Sequence, residues 1–222
     1  ISKLDKYNLV SFADLHSFYP WRIGREATVF DTKPTYKNII KAIRMGQGLH
    51  STIETPPAYG KFHEDGHRNC NVHLTPEESR KLNRICPTCK RDLTIGVAYR
   101  VEELADREEG YVKKGAPPFV RLVPLTELIA AVYGIKQLSS KKVWETYNLL
   151  IKHFKTEYAV LLDVSFEDLS KIIPIPLAKV IVNQREGNLT LEPGYDGVYG
   201  KIILDEKEKI KEPTKQKSLG EF

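Results

Sequence analysis

His67-Arg68-Asn69-Cys70 and, fifteen residues further on, Cys86-Pro87-Thr88-Cys89 together contain all three cysteines of a 222-residue chain. Each knuckle leaves two residues between its ligands, the spacing of a closed four-ligand zinc site. A C-x-x-C turn lets two thiolates reach one tetrahedral ion, and H-x-x-C does the same with one imidazole. A site with four protein ligands has no open coordination position, so its metal organises a fold and performs no chemistry. The competing interpretation is one disulfide plus an odd thiol, but disulfide scaffolds are short, secreted and cysteine-dense. His63 and Asp65 are alternatives to His67 as fourth ligand, so Cys70, Cys86 and Cys89 are the firmer part of the set.

The segments around the knuckles fill out a small α+β module over residues 60–100. Thr75-Pro76-Glu77-Glu78 has the form of a capping box with Pro at the first helical position, which predicts a short helix to about Asn83. Leu93 to Val101 alternates enough to predict a strand. Upstream, Tyr7 to Phe12 is a short apolar run of the buried-strand kind, and Ser51 to Thr55 predicts another strand closed by Pro56-Pro57. Between them, Tyr36 to Met45 has Ile39, Ile40 and Ile43 on one helical face and Gly46 as its stop. Gly110 to Pro118 has the composition of a linker.

From Pro124 onward the pattern is helical. Helices are expected over Leu125–Tyr133, Ser140–Phe154, a short segment after Ser165, and about Pro176–Glu186 with Gly187 as stop. The two short helices joined by Ile173-Pro174-Ile175-Pro176 lack the glycines a helix-hairpin-helix phosphate site needs, so core packing is the better assignment there. Leu189–Leu191 and Gly200–Leu204 bracket a turn at Pro193-Gly194-Tyr195-Asp196-Gly197, the signature of a small hairpin. Asp205 to Phe222 is a charged, apolar-poor tail. The expected organisation is four segments: residues 1–55, 56–115, 116–204 and 205–222.

Bulk composition constrains function only broadly. A hydrophobic content of 41% with 28% charged residues is that of a globular protein, and a net charge of +5 is compatible with a polyanion partner. No apolar run reaches the roughly 20 residues that span a bilayer, so no membrane partner is expected, and the three thiols favour a reducing, cytoplasmic setting. The chain opens at Ile1, and its one Met, Met45, lies inside a helix pattern. It is therefore expected to be the C-terminal part of a longer polypeptide.

Asp14 and His16 flank one residue at the end of the first apolar run. On a strand, residues i and i+2 point to the same side, so a carboxylate and an imidazole there could share one metal ion. Ser11-Phe12-Ala13-Asp14-Leu15-His16-Ser17 resembles the last metal-binding motif of the polymerase and histidinol phosphatase (PHP) phosphoesterases. Pro20 to Glu26, Gly60 to Cys70, Ile85 to Cys89 and Leu93 to Val97 further resemble endonuclease Q, a family of archaeal DNA-repair enzymes, over nearly the whole chain as its C-terminal half.

That resemblance implies an α/β-then-mixed fold: C-terminal strands of a PHP-type barrel, a zinc-binding α+β module, and a C-terminal helical domain. It implies a metal-dependent endonuclease that nicks DNA on the 5′ side of deaminated bases (uracil, hypoxanthine, xanthine) or at abasic sites, with Asp14 and His16 as catalytic metal ligands. Zn, Mg or Mn would be the active-site ion. The His-x-His motif and the middle Glu and His ligands of such a site are absent here, so the N-terminal half of the same polypeptide is an expected partner, and this chain alone is expected to be inactive. The alternative is a non-catalytic, zinc-containing module that binds DNA and recruits a clamp.

Candidate DNA contacts follow from residue chemistry. Tyr19, Trp21 and Arg22 lie just beyond the metal ligands, where a ring can stack on a flipped base and a guanidinium can hold a phosphate. Arg25, Lys61 and Arg68 add basic groups along the knuckle module, where phosphate contacts give affinity without sequence preference. Finally, Gln216-Lys217-Ser218-Leu219-Gly220-Glu221-Phe222 resembles the Gln-x-x-aliphatic-x-x-aromatic peptide by which repair enzymes bind the sliding clamp (PCNA). One 3₁₀ turn would set Leu219 and Phe222 on one face as apolar anchors, with Gln216 in a side pocket.

Overall fold

The computed structural model describes residues 1–16 and 23–210. Tyr19, Trp21, Arg22, Gln216, Leu219 and Phe222 therefore lie outside the described residues. The chain divides into two compact units, one of residues 1–123 with 190–203 and the other of residues 124–189 with the segment from 204 onward.

The first unit begins to take shape at helix α1 (Tyr36–Met45). The Thr35 hydroxyl accepts from the Asn38 N–H at its start, and Gly46, at φ 72°, ends it by returning its N–H to Ala42. A left-handed residue at that position carries a Cβ penalty, which glycine avoids. The returning chain forms β2 (Leu49–Glu54), the middle strand of a three-stranded sheet. β1 (Ala27–Phe30) pairs with it antiparallel through a bulge at Val29–Phe30, and β5 (Phe119–Arg121) pairs with it parallel. The sheet is open, and no closed barrel forms among the described residues.

Two strand expectations are corrected. Tyr7 to Phe12 is not a strand. The Thr28 hydroxyl accepts from the Ser11 N–H at 2.9 Å and donates to the Ser11 carbonyl at 2.7 Å, so one side chain occupies the groups a partner strand would need. Leu93 to Val101 is not a strand either. Thr94 makes a single bridge to Gly66, and helix α3 (Val97–Leu104) starts directly after Gly96. Val97 and Val101 lie at the i, i+4 spacing of a helix face. β1 and β5, three to four residues each, carried too little periodicity to stand out from their surroundings.

The knuckle region contributes β3 (Asp65–His67), β4 (Val72–Leu74) and α2 (Pro76–Lys81). The capping box at α2 is reciprocal: the Thr75 side chain accepts from the Glu78 N–H, and the Glu78 carboxylate accepts from the Thr75 N–H. The hairpin strands β6 (Leu191–Glu192) and β7 (Lys201–Ile202) belong to this unit rather than to the helices. The Gly194 carbonyl accepts from the N–H groups of His63 and Glu64, and the Gly194 and Gly200 N–H groups donate to Ala58 and Tyr59. A Cβ at Gly194 would lie 2.1 Å from the Gly60 carbonyl, so the approach requires glycine.

The second unit is a bundle of α4 (Leu125–Val132), α5 (Lys141–Phe154), a π-helical turn (Ala159–Asp163), α6 (Phe166–Ile172) and α7 (Ile175–Arg185). α4 is the central element, with Leu125, Leu128, Ile129 and Val132 fully buried. It has no side-chain cap of its own. Instead, Glu157 accepts from the Leu125 N–H at 2.8 Å and from the Tyr147 hydroxyl at 3.0 Å. Leu169, Ile173, Leu177 and Ile181 of the Pro-linked helix pair are buried, in keeping with a packing role for that junction. The Arg185 guanidinium donates to the carbonyls of Val160, Leu161 and Val164, satisfying the end of the π turn.

Candidate metal centre

The first knuckle is a short connection inside a hairpin. β3 and β4 pair antiparallel, His67 opposite Val72, and the residues between them make one 3₁₀ turn, Arg68–Cys70. Asn71 ends the turn at φ 50°, a left-handed conformation that Asn tolerates better than most residues. The second knuckle is closed by two backbone bonds, Cys86 N–H to the Arg91 carbonyl at 2.8 Å and Lys90 N–H to the Cys86 carbonyl at 3.0 Å. Local turn chemistry thus aims each pair of ligands, and the tertiary fold brings the pairs together.

The donor atoms of His67, Cys70, Cys86 and Cys89 all lie within 4.8 Å of one another, with Cys89 Sγ 3.3 Å from His67 Nδ1. Bonds of about 2.3 Å to sulfur and 2.0–2.1 Å to nitrogen place neighbouring donors of a tetrahedral ion about 3.5–3.8 Å apart. The residues present therefore fit such an ion. No disulfide joins the three cysteines.

Thiol electrostatics point the same way. Burial, and then the neighbouring thiols, push the Cys70 thiol up to about 11. The Cys86 thiol is brought down to about 6, chiefly by the backbone N–H of Cys89. Crowded thiols oppose one another's ionisation, and a divalent cation removes the conflict because a coordinating thiol is deprotonated outright.

The alternative fourth ligands are not in the cluster. Asp65 is fully buried, and its Oδ1 accepts from the Gly96 N–H at 2.7 Å, at the start of α3. His63 is half-buried, and desolvation lowers its pKa.

Asp14 and His16 are brought near each other by a tight turn rather than by a strand. The Leu15 N–H donates to the Ala13 carbonyl, and His16 Nδ1 sits 3.0 Å from the Asp14 carbonyl and 3.8 Å from Asp14 Oδ2. Two ligand bonds of about 2.1 Å span up to about 4.2 Å, so one ion could bridge the two side chains. Both are open to solvent, His16 at 83% and Asp14 at 93% of full exposure. They line an open cleft of about 470 Å³ with Phe12, Ala13, Leu15, Arg25 and Glu26.

Glu26, which accepts from the Ser11 hydroxyl at 3.0 Å, was not singled out from sequence, where nothing ties it to a motif fifteen residues upstream. Among the candidate DNA contacts, Lys61 is exposed with its Nζ 4.8 Å from the Tyr199 ring centre, Arg25 lies 6.0 Å from the ring of Tyr59, and Arg68 is exposed beside the first knuckle. Among the described residues, no helix is long and apolar enough to cross a membrane.

Comparison with known proteins places these features in context. Residues 124–188 match the family model of the MJ0043 C-terminal domain. The chain is 32% identical over 208 residues to the uncharacterized protein MJ0043 of Methanocaldococcus jannaschii, covering 91% of this chain and 26% of that protein. It is 31% identical over 207 residues to the uncharacterized protein YqxK of Bacillus subtilis, covering 91% of this chain and 48% of that one. The chain thus spans about a quarter to a half of the length of the relatives it matches. In three dimensions it is similar to the lesion-specific endonuclease Q of Pyrococcus furiosus, with a TM-score of 0.82 and 33% identity over 94% of this chain and 52% of that chain. It is also similar, with a TM-score of 0.78 and 33% identity over 90% of this chain and 50% of the other, to an endonuclease Q bound to a 27-mer duplex substrate with an abasic lesion at the active site. Over nearly its whole length, then, this chain resembles about half of endonuclease Q in both sequence and fold.

Proposed function

We propose that this chain is part of a metal-dependent DNA-repair endonuclease that nicks DNA 5′ of deaminated bases or at abasic sites. The similarity to endonuclease Q, with a TM-score of 0.82 over 94% of the chain, carries the reading. His67, Cys70, Cys86 and Cys89 hold a structural zinc that fixes the surface around it. Asp14 and His16 contribute two ligands to the active-site metal, and the N-terminal half of the polypeptide supplies the others.

Asp14 and His16 would hold a divalent ion, which would supply an activated water and charge neutralisation for phosphodiester hydrolysis. Asp14 supplies a carboxylate oxygen and His16 a ring nitrogen from the same turn. Arg25, which lines the same cleft, would hold a neighbouring phosphate. Lys61 and Arg68 extend that contact along the backbone, and Tyr19, Trp21 and Arg22 engage the displaced base. Gln216, Leu219 and Phe222 anchor the tail in the sliding clamp.

Strand cleavage of an oligonucleotide carrying deoxyuridine, deoxyinosine or an abasic site, with added divalent metal, tests the reading. The comparison is between this chain, the chain extended upstream to the length of its relatives, and the extended chain with Asp14→Ala. Nicking by the extended wild type alone is expected; nicking that survives Asp14→Ala would remove Asp14 from the site. In the same preparation, Phe222→Ala should abolish clamp binding, and undiminished binding would reject the tail motif.

The second reading is a DNA-binding and clamp-recruiting module without chemistry of its own. DNA binding with no nicking by any of the three proteins would select it.

A further inference from the structure

The turn between β6 and β7 reaches the first knuckle from about 130 residues further along the chain. Asp196 Oδ2 accepts from the Arg68 N–H at 2.7 Å, and Asp196 Oδ1 accepts from the Thr94 hydroxyl at 2.7 Å. Arg68 is the first residue of the 3₁₀ turn Arg68–Cys70, which follows His67 and ends at Cys70. Its N–H is a turn-start donor without a partner inside the turn. At the other end of the knuckle, the Tyr195 hydroxyl lies 3.0 Å from the side-chain oxygen of left-handed Asn71. Tyr195 is buried, with its ring stacked 5.0 Å from His73 on β4 and packed on Gly66, where a Cβ would lie 2.4 Å from the ring. The same dipeptide therefore touches both ends of the four-residue loop that carries two of the four ligands. Thr94, the third partner, bridges to Gly66 on β3 and follows the second knuckle.

We propose that Asp196 is a positioning residue for the zinc centre, fixing the His67–Cys70 half from outside it, with Tyr195 holding the far end of the same loop. The proposal rests on the zinc reading above. Groups that orient metal ligands without touching the metal typically contribute 10- to 100-fold in affinity. The backbone at Asp196 sits at φ 41°. Asn and Gly both tolerate that conformation, whereas Ala would add strain of its own. Asp196→Gly therefore removes the carboxylate without forcing the backbone, and Asp196→Asn restores an acceptor for Arg68.

The test is zinc release to a chromogenic chelator from the purified chain, alongside the visible spectrum of the cobalt-substituted protein, which reports tetrahedral geometry and thiolate ligation. Leu191→Ala serves as a control that weakens the β6–β7 hairpin away from the knuckle. Asp196→Gly is expected to release zinc at least tenfold faster than wild type and to broaden the cobalt bands, with Asp196→Asn close to wild type and Leu191→Ala unchanged. Release and spectra unchanged in Asp196→Gly, or altered equally by Leu191→Ala, would overturn the proposal while leaving the zinc assignment intact. A wild-type chain that binds no zinc would overturn both.

Discussion

The two units are stabilised by different physics. The helical unit rests on hydrocarbon: α4 is buried almost all round, and Val143, Leu150, Leu169, Leu177 and Ile181 are fully enclosed. The knuckle unit has strands of two to six residues, and its buried positions near the metal centre include Cys86, Asp65, Ser79, Leu93 and Tyr195. It is held by backbone bonds between segments far apart in sequence and by glycines that let those segments touch, and its four clustered His and Cys donors could add a metal ion. A packed core tolerates local damage in proportion to the volume removed. A small unit organised by one metal depends on a few groups without which the whole set fails together.

Removing a ligand should separate the two most sharply. Cys86→Ser is expected to lose the zinc and unfold residues 60–100, because apparent zinc binding free energies of about 10–16 kcal/mol contribute directly to folding in such sites. Amide exchange would show protection lost across the knuckles but kept across α4 to α7. A variant that keeps both its zinc and its melting temperature would refute the structural-metal assignment.

The reciprocal experiment is Leu128→Ala. A cavity at a fully buried leucine costs about 2–5 kcal/mol. That loss should appear in the unfolding of the helical unit, with zinc content still at one per chain. Zinc loss in this variant would mean that the two units do not unfold independently.

The smallest expected effect is one of pH. Burial raises the Glu157 pKa above its ordinary value, with nearby Glu127 adding to the shift against the Leu125 N–H and Tyr147 hydroxyl. Between the ordinary and the raised value the folded helical unit binds more protons than the unfolded chain, so its stability rises as pH falls through that window and is level below it. In the knuckle unit, the hydroxyl and N–H of Ser2 hold the Asp106 carboxyl down to about 2. Its contribution is present above the ordinary carboxylate range and fades as pH falls towards 2, and an exposed group contributes little. Mild acid should therefore favour the helical unit while protonation of the zinc ligands weakens the other. Denaturant midpoints of Glu157→Gln measured from pH 7 to 4.5 should lose the acid-side gain; an unchanged gain would assign it to another group.

What was legible in the sequence was local. The capping box at Thr75, the stop at Gly46 and the two knuckles each depend on residues within four positions of one another. Backbone donors and acceptors that close to a side chain leave few alternatives, so pattern alone specifies the outcome. The strand expected at Tyr7 to Phe12 shows the limit: an apolar run becomes a strand only beside a partner, and the Thr28 hydroxyl occupies the Ser11 groups that would begin the ladder.

The choice of His67 over His63 and Asp65, the cleft that puts Glu26 near Asp14, and the reach of Asp196 to Arg68 were decided by tertiary structure alone. Each depends on contacts between segments whose separation in sequence carries no periodic or compositional trace. The sequence by itself determined which side chains could hold a metal and where helices start and stop, because those are short-range matters of valence and hydrogen bonding. Which of those side chains meet was settled by how the β6–β7 turn and the knuckles pack, since only packing brings residues more than 100 positions apart within hydrogen-bonding distance.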